Sequence, residues 1–129
     1  MTYYENKIRR FKKNVLSNQW QIDSVIGTRN YIDNNYDKNL NLELLSKIRL
    51  TSKFHLLRLF KRYYGITPKQ YLIEKRIEKS KILLKEGSTV TETCYAVGFE
   101  STSSFSTLFK KITGLNPSEF QKKQLSISE

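Results

Sequence analysis

Two sets of side chains in this 129-residue chain are spaced to share one face of a helix and to meet a polyanion. Lys53, Phe54, Leu57, Arg58 and Lys61 make the first set; Thr102, Ser103, Ser106, Thr107 and Lys110 make the second. Steps of three and four carry residues to one helical face. Cations there hold phosphate oxygens, hydroxyls donate to phosphates or base edges, an arginine fork fits guanine, and an aromatic fits a thymine methyl. Lys61, Arg62, Lys110 and Lys111 suit phosphate contact better than base reading. A solvated arginine and a lone exposed aromatic are the plainer alternatives for Arg58 and Phe54.

The elements that position these residues are written twice. Ser52, Leu56, Leu59-Phe60-Lys61, Gly65, Pro68 and Tyr71 recur as Ser101, Phe105, Leu108-Phe109-Lys110, Gly114, Pro117 and Phe120. The offset is about 49 residues, so one supersecondary unit is used in tandem.

Apolar residues recur at three and four throughout, predicting an all-α fold. Tyr4, Ile8, Phe11 and Val15 form a stripe among Lys7, Arg9, Arg10, Lys12 and Lys13, and Ser17-Asn18-Gln19 reads as a break. Residues 1–18 thus read as a basic amphipathic extension, a packing or linker helix, with a remnant of a connection to a sensor domain, a dimer contact and a DNA-contacting arm as the alternatives. Ile22 to Tyr36 sketch the next helix, with Trp20 as its anchor to the core. Leu42, Leu45 and Ile48 define a short helix; Ser52 caps a longer one that ends at Gly65. Thr67-Pro68-Lys69-Gln70 opens a spacer helix running to about residue 86, since proline is favoured at the first helical position. Thr89-Val90-Thr91-Glu92 is a capping box. It opens a short helix to Val97, followed by a turn at Gly98 and a helix from about 102 to 113. Asn116-Pro117-Ser118-Glu119 caps a final short helix, and the tail at 124–129 reads as frayed. The boundaries expected are about 42–64 and 90–113 for two helix-turn-helix units, with the spacer at 68–86, inside a domain covering 19–123.

Composition narrows the partners. Net charge is +11, and such self-repulsion is relieved by a polyanion. No apolar stretch approaches a spanning length and no secretory leader pattern is present, so no membrane partner is expected. Cys94 and His55 are the sole cysteine and histidine, too few for a zinc cage, and no cofactor or metal is expected. Cys94 reads as a small core residue in a reducing, cytoplasmic compartment. No nucleophile–histidine–carboxylate set or glycine-rich phosphate loop points to an enzyme.

In each unit a short helix, a brief turn and a longer helix follow in order, with Ser46 and Cys94 as the small residues at the helix crossing. The buried side of the longer helix is expected to be Leu56, Leu59, Phe60 and Tyr63, then Phe105, Leu108, Phe109 and Ile112. A helix so placed fits the major groove. The spacer of roughly 19 residues spans about 28 Å at 1.5 Å each. With helix widths added, this approaches the roughly 34 Å of one duplex turn.

Leu42 to Lys123 resembles the DNA-binding domain of the AraC/XylS family of bacterial transcription regulators. Ser52-Lys53-Phe54-His55-Leu56-Leu57-Arg58-Leu59-Phe60-Lys61, Arg76, Leu83-Leu84, Val97-Gly98-Phe99-Glu100, Phe105-Ser106, Phe109-Lys110-Lys111 and Gly114 to Phe120 carry the resemblance. It implies a homeodomain-like tandem, two helix-turn-helix subdomains joined by a long helix, binding double-stranded promoter DNA near the bacterial nucleoid. Activation through RNA polymerase is implied with it. Base-reading positions of the family fall on Phe54, Leu57, Arg58, Thr102, Ser103, Ser104, Ser106 and Thr107. Phosphate contacts fall on Ser52, Lys53, Lys61, Arg62, Lys110 and Lys111. Two departures stand out: Thr107 where many relatives carry arginine, and Thr93-Cys94 where Ile-Ala is commoner. The competing function is a module docking on RNA polymerase or another regulator, with incidental DNA contact.

Overall fold

The computed structural model describes residues 2–128. Among them the order is α1 (Tyr3–Asn35), α2 (Leu42–Ile48), α3 (Lys53–Tyr64), α4 (Pro68–Lys85), α5 (Val90–Ala96), α6 (Thr102–Thr113) and α7 (Pro117–Ser128). No strand occurs among the described residues. The chain divides into two compact units: residues 1–31 with 42–68, and residues 32–41 with 69–129.

Two expectations about helix ends are corrected. α1 runs unbroken through Ser17-Asn18-Gln19. Neither glycine nor proline occurs there, and the Gln19 Nε2 donates to Asp23 Oδ1 at 2.9 Å, a link one turn along that offsets weak propensity. The final helix is not short with a frayed end; α7 extends to Ser128.

The first unit buries Val25 of α1, Leu45 and Ser46 of α2, and Leu56, Leu59 and Phe60 of α3. Phe60 and Tyr64 rings lie 4.8 Å apart, and Arg29 sits 5.7 Å over Tyr64. Tyr63, expected inside, is exposed. At about 3.6 residues per turn Tyr63 falls in angle between Leu56, Leu59 and Phe60, so the buried face is shorter along α3 than the stripe suggested, ending before the last turn, where Tyr64 packs on Phe60. Trp20 is also outside the core: half exposed, it stacks on His55 at 6.1 Å and so ties α1 to α3 at the surface.

The second unit is centred on Ile77, Leu84, Cys94, Val97, Phe99, Phe105 and Phe109, with Tyr36, Ile73, Leu83, Val90, Leu108 and Phe120 packed round them. Phe109 meets Phe105 and Phe120 edge-to-face at 5.7 and 5.3 Å, the arrangement favoured by the ring quadrupole. Ile112 is exposed, against expectation, for the reason Tyr63 is. Burial pushes the Cys94 thiol up, so it stays protonated and apolar. Arg76 fastens the segment after α1: its Nε donates to the Tyr36 carbonyl at 2.7 Å and its Nη2 to that of Lys38 at 2.8 Å. Desolvation lowers the Arg76 pKa, opposed by Asp37 and Glu100. Gln121 of α7 performs a similar task, donating to the carbonyls of Leu84 in the last turn of α4 and of Ser88 just beyond it.

Candidate nucleic-acid interface

Both long helices of the repeat begin and end alike. Ser52 Oγ accepts from His55 N–H and Ser101 Oγ from Ser104 N–H, satisfying donors that the first turn leaves free. Gly65 and Gly114 end them in the left-handed region, at φ 78° and 87°, each N–H returning to the carbonyl of Lys61 or Lys110 at 2.8 Å. The equal caps fix equal lengths of 12 residues, so matching positions of α3 and α6 point the same way within their own units.

The turns before them are two versions of one motif. Leu50 N–H returns to the Lys47 carbonyl and Thr51 N–H to that of Ser46; Gly98 and Phe99 do the same with Tyr95 and Cys94. This pair of bonds is the helix-ending pattern that requires a left-handed residue. Gly98 supplies it at φ 98°, and a Cβ there would lie 2.9 Å from the Tyr36 carbonyl oxygen. Leu50 supplies it at φ 52°, with its side chain 91% exposed.

With Leu56, Leu59 and Phe60 turned inward, the outer face of α3 carries Phe54, Leu57, Arg58 and Lys61, while Lys53 and Arg62 flank it on opposite edges. Phe54 is 67% exposed and Leu57 partly so. Lys53 Nζ lies 5.5 Å over the Phe54 ring and 3.8 Å from Glu43 Oε1. That ion pair is solvent-exposed and therefore weak, leaving the ammonium able to exchange partners. On α6, Phe105 and Phe109 turn inward and Ser103, Ser106, Thr107 and Lys110 face out; Thr102 and Ser104 lie to either side, with Lys111 beside Ser104. Ser52 stands apart from the α3 face at its cap, its oxygen already accepting.

The two faces differ in chemistry. α3 holds four Lys or Arg residues and no acid; α6 holds two, Lys110 and Lys111, and presents hydroxyls elsewhere. The last-turn cations also complement the carbonyl end of each helix, which accounts for part of their placement without any ligand. No group of three or more metal-ligating side chains occurs among the described residues. No helix there is long and apolar enough to cross a membrane.

A family profile described as a helix-turn-helix domain matches residues 45–123. The chain belongs to the AraC-type helix-turn-helix family. A transcriptional regulator in the cgkA 5′ region of Pseudoalteromonas carrageenovora is 39% identical over 93 residues, covering 71% of this chain and 55% of that protein. The chain spans between about a third and just over half the length of curated relatives it matches. The C-terminal domain of AraT, a response regulator from Geobacillus stearothermophilus, superposes with a TM-score of 0.75 at 29% identity, covering 78% of this chain and 84% of that one. The DNA-binding domain of AdpA, a global transcriptional factor solved in complex with a target DNA, shares the fold with a TM-score of 0.73. Its identity is 21%, with 77% of this chain and 90% of that chain covered. The tandem all-helical architecture is thus that of AraC-type DNA-binding domains of transcription regulators.

What sequence reasoning missed is supporting structure. Gly27 in α1 leaves room for Arg49, whose guanidinium would collide with an added Cβ. A glycine inside an unbroken apolar pattern was the available signal. The carbonyl-binding roles of Arg76 and Gln121 had no local signal, because partners 33 to 40 residues away leave no spacing to read.

Proposed function

We propose that this chain binds double-stranded promoter DNA sequence-specifically by setting α3 and α6 into successive major grooves, and that it regulates transcription there. The observation that carries this reading is the doubled frame: equal caps, equal lengths and outward faces free of acidic residues, on helices of a width the groove accepts. The length of α4, 18 residues or about 27 Å, is commensurate with one duplex turn. Phe54, Leu57 and Arg58 read bases through the first helix; Thr102, Ser103, Ser104, Ser106 and Thr107 do so more weakly through the second. Ser52, Lys53, Lys61, Arg62, Lys110 and Lys111 take phosphates. Acting as an activator beside RNA polymerase is the step that family resemblance supports.

Selection of bound sequences from a random duplex pool tests the reading. Two unlike half-sites centred about one turn apart are expected. With about six phosphates neutralised, log K is expected to fall against log salt with a slope near −5. A single short half-site, or a flat salt profile, contradicts the proposal.

A further inference from the structure

The N-terminal part of α1 is chemically conspicuous and unused by the DNA-binding reading. Every residue from 2 to 20 is exposed. Tyr4, Ile8, Phe11 and Val15 make a continuous stripe whose members are between 49% and 73% exposed. Their spacing, four then three then four, is the seam pattern of paired helices. Tyr4, Lys7, Ile8 and Phe11 together line a shallow apolar notch. Four residues at these intervals form the hole into which a single side chain of a facing helix inserts.

We propose that this stripe is a self-association surface that pairs, antiparallel, with the same stripe of a second copy. The pairing of Glu5 with Lys12 is the charge complementarity that a second copy offers, and it selects the direction. In the seam frame Lys7 and Lys12 flank the apolar positions on opposite edges, and a parallel pair would set Lys7 of one copy against Lys12 of the other. The antiparallel pair sets Glu5 against Lys12 twice by symmetry, and Lys7 against Asn14. It also sets Phe11 over Ile8 and Tyr4 over Val15, an aromatic against a smaller branched side chain in every layer. Glu5 caps its own helix through Oε2, which accepts from the Thr2 N–H at 3.3 Å, so Oε1 remains to face Lys12. Arg9, Arg10 and Lys13 fall on the outward faces.

The size of the surface sets the strength. Aromatic side chains bury about 150–250 Å² each. Two aromatics and two aliphatics per copy, part covered already, give of the order of 800 Å² in total, the scale of a transient contact. The remaining cations repel across the pair, and salt screens them. Association therefore strengthens with added salt, opposite in sign to DNA binding.

Sedimentation of the full chain without DNA tests this, from roughly 10 μM to 1 mM protein and across about 0.1 to 0.5 M salt. The average mass is expected to rise from 15.3 kDa toward twice that value with concentration and with salt. Phe11→Glu is expected to leave a monomer with unchanged helical circular dichroism. Lys12→Glu weakens association about fivefold to tenfold, and Glu5→Lys with Lys12→Glu restores it. A wild-type monomer throughout the range overturns the proposal. So does association that survives Phe11→Glu, and so does Lys12→Glu strengthening the dimer, the mark of parallel helices. Phe11→Glu that weakens single-site DNA binding or binding to anionic lipid vesicles, with no change in mass, assigns the stripe to those ligands instead.

Discussion

The first helix-turn-helix unit and the second share a frame yet differ in the chemistry built on it. In the first, the turn is held by Leu50 in a conformation that disfavours any side chain, and the outward face of α3 carries an aromatic and two cations, with two more cations at its edges. In the second, the turn has glycine where the Tyr36 carbonyl presses close, the core is a cluster of edge-to-face aromatics, and the outward face of α6 is mostly hydroxyl. The second turn is also one residue longer, with Glu100 standing between the left-handed motif and the Ser101 cap. Because caps and buried faces are common to both, the differences lie in what each unit shows outward and in how tightly its turn is held. Duplicated architecture fixes where a reading face is; its residues decide how much it discriminates.

The largest effect sharpens the contrast between the turns. Gly98→Leu forces a Cβ against the Tyr36 carbonyl and a side chain into the left-handed region, and is expected to cost about 2–4 kcal/mol in urea unfolding. Loss below 0.5 kcal/mol would show that the close approach does not hold in solution. Next is Thr93→Val in α5. The Thr93 hydroxyl is buried without a hydrogen-bond partner, so the isosteric apolar side chain is expected to stabilise the protein by about 1 kcal/mol. A destabilised variant would reveal a partner for that hydroxyl. Smallest is Leu50→Gly: relief of the left-handed penalty of about 1–2 kcal/mol, less the entropy that glycine loses on folding, leaves a gain of about 0.5–1 kcal/mol. Its exposed side chain takes almost no packing with it, and a loss of stability would mean that Leu50 makes a contact the turn needs.

Much of this organisation was legible because its determinants are local. Ser52, Ser101, Gly65 and Gly114 act within a turn of themselves, so their identities alone mark the helix ends. The Thr89–Glu92 capping box and Asn116–Glu119 pair are likewise closed within four residues, at 3.1 and 2.8 Å to the backbone N–H. The continuity of α1 was illegible at Ser17-Asn18-Gln19 because weak helix formers only bias a helix that neighbours and side-chain bonds sustain. Tyr63 and Ile112 were misplaced for another reason: a stripe gives the angle of a face and not how far along the helix the opposing core extends, and here it stops before the last turn of α3 and of α6. The outward faces followed by subtraction once Leu56, Phe60, Phe105 and Phe109 were recognised as core.

The claim that two unlike faces read one bipartite site is tested most directly by a base-by-base substitution scan of the selected duplex, with Arg58→Ala and Thr107→Ala each compared with the wild type. Arg58→Ala is expected to cost about 1–3 kcal/mol and to relax preference at a base position of one half-site only. Thr107→Ala is expected to cost less and to act in the other half-site. Both variants weakening every sequence uniformly, or altering the same half-site, would contradict the account.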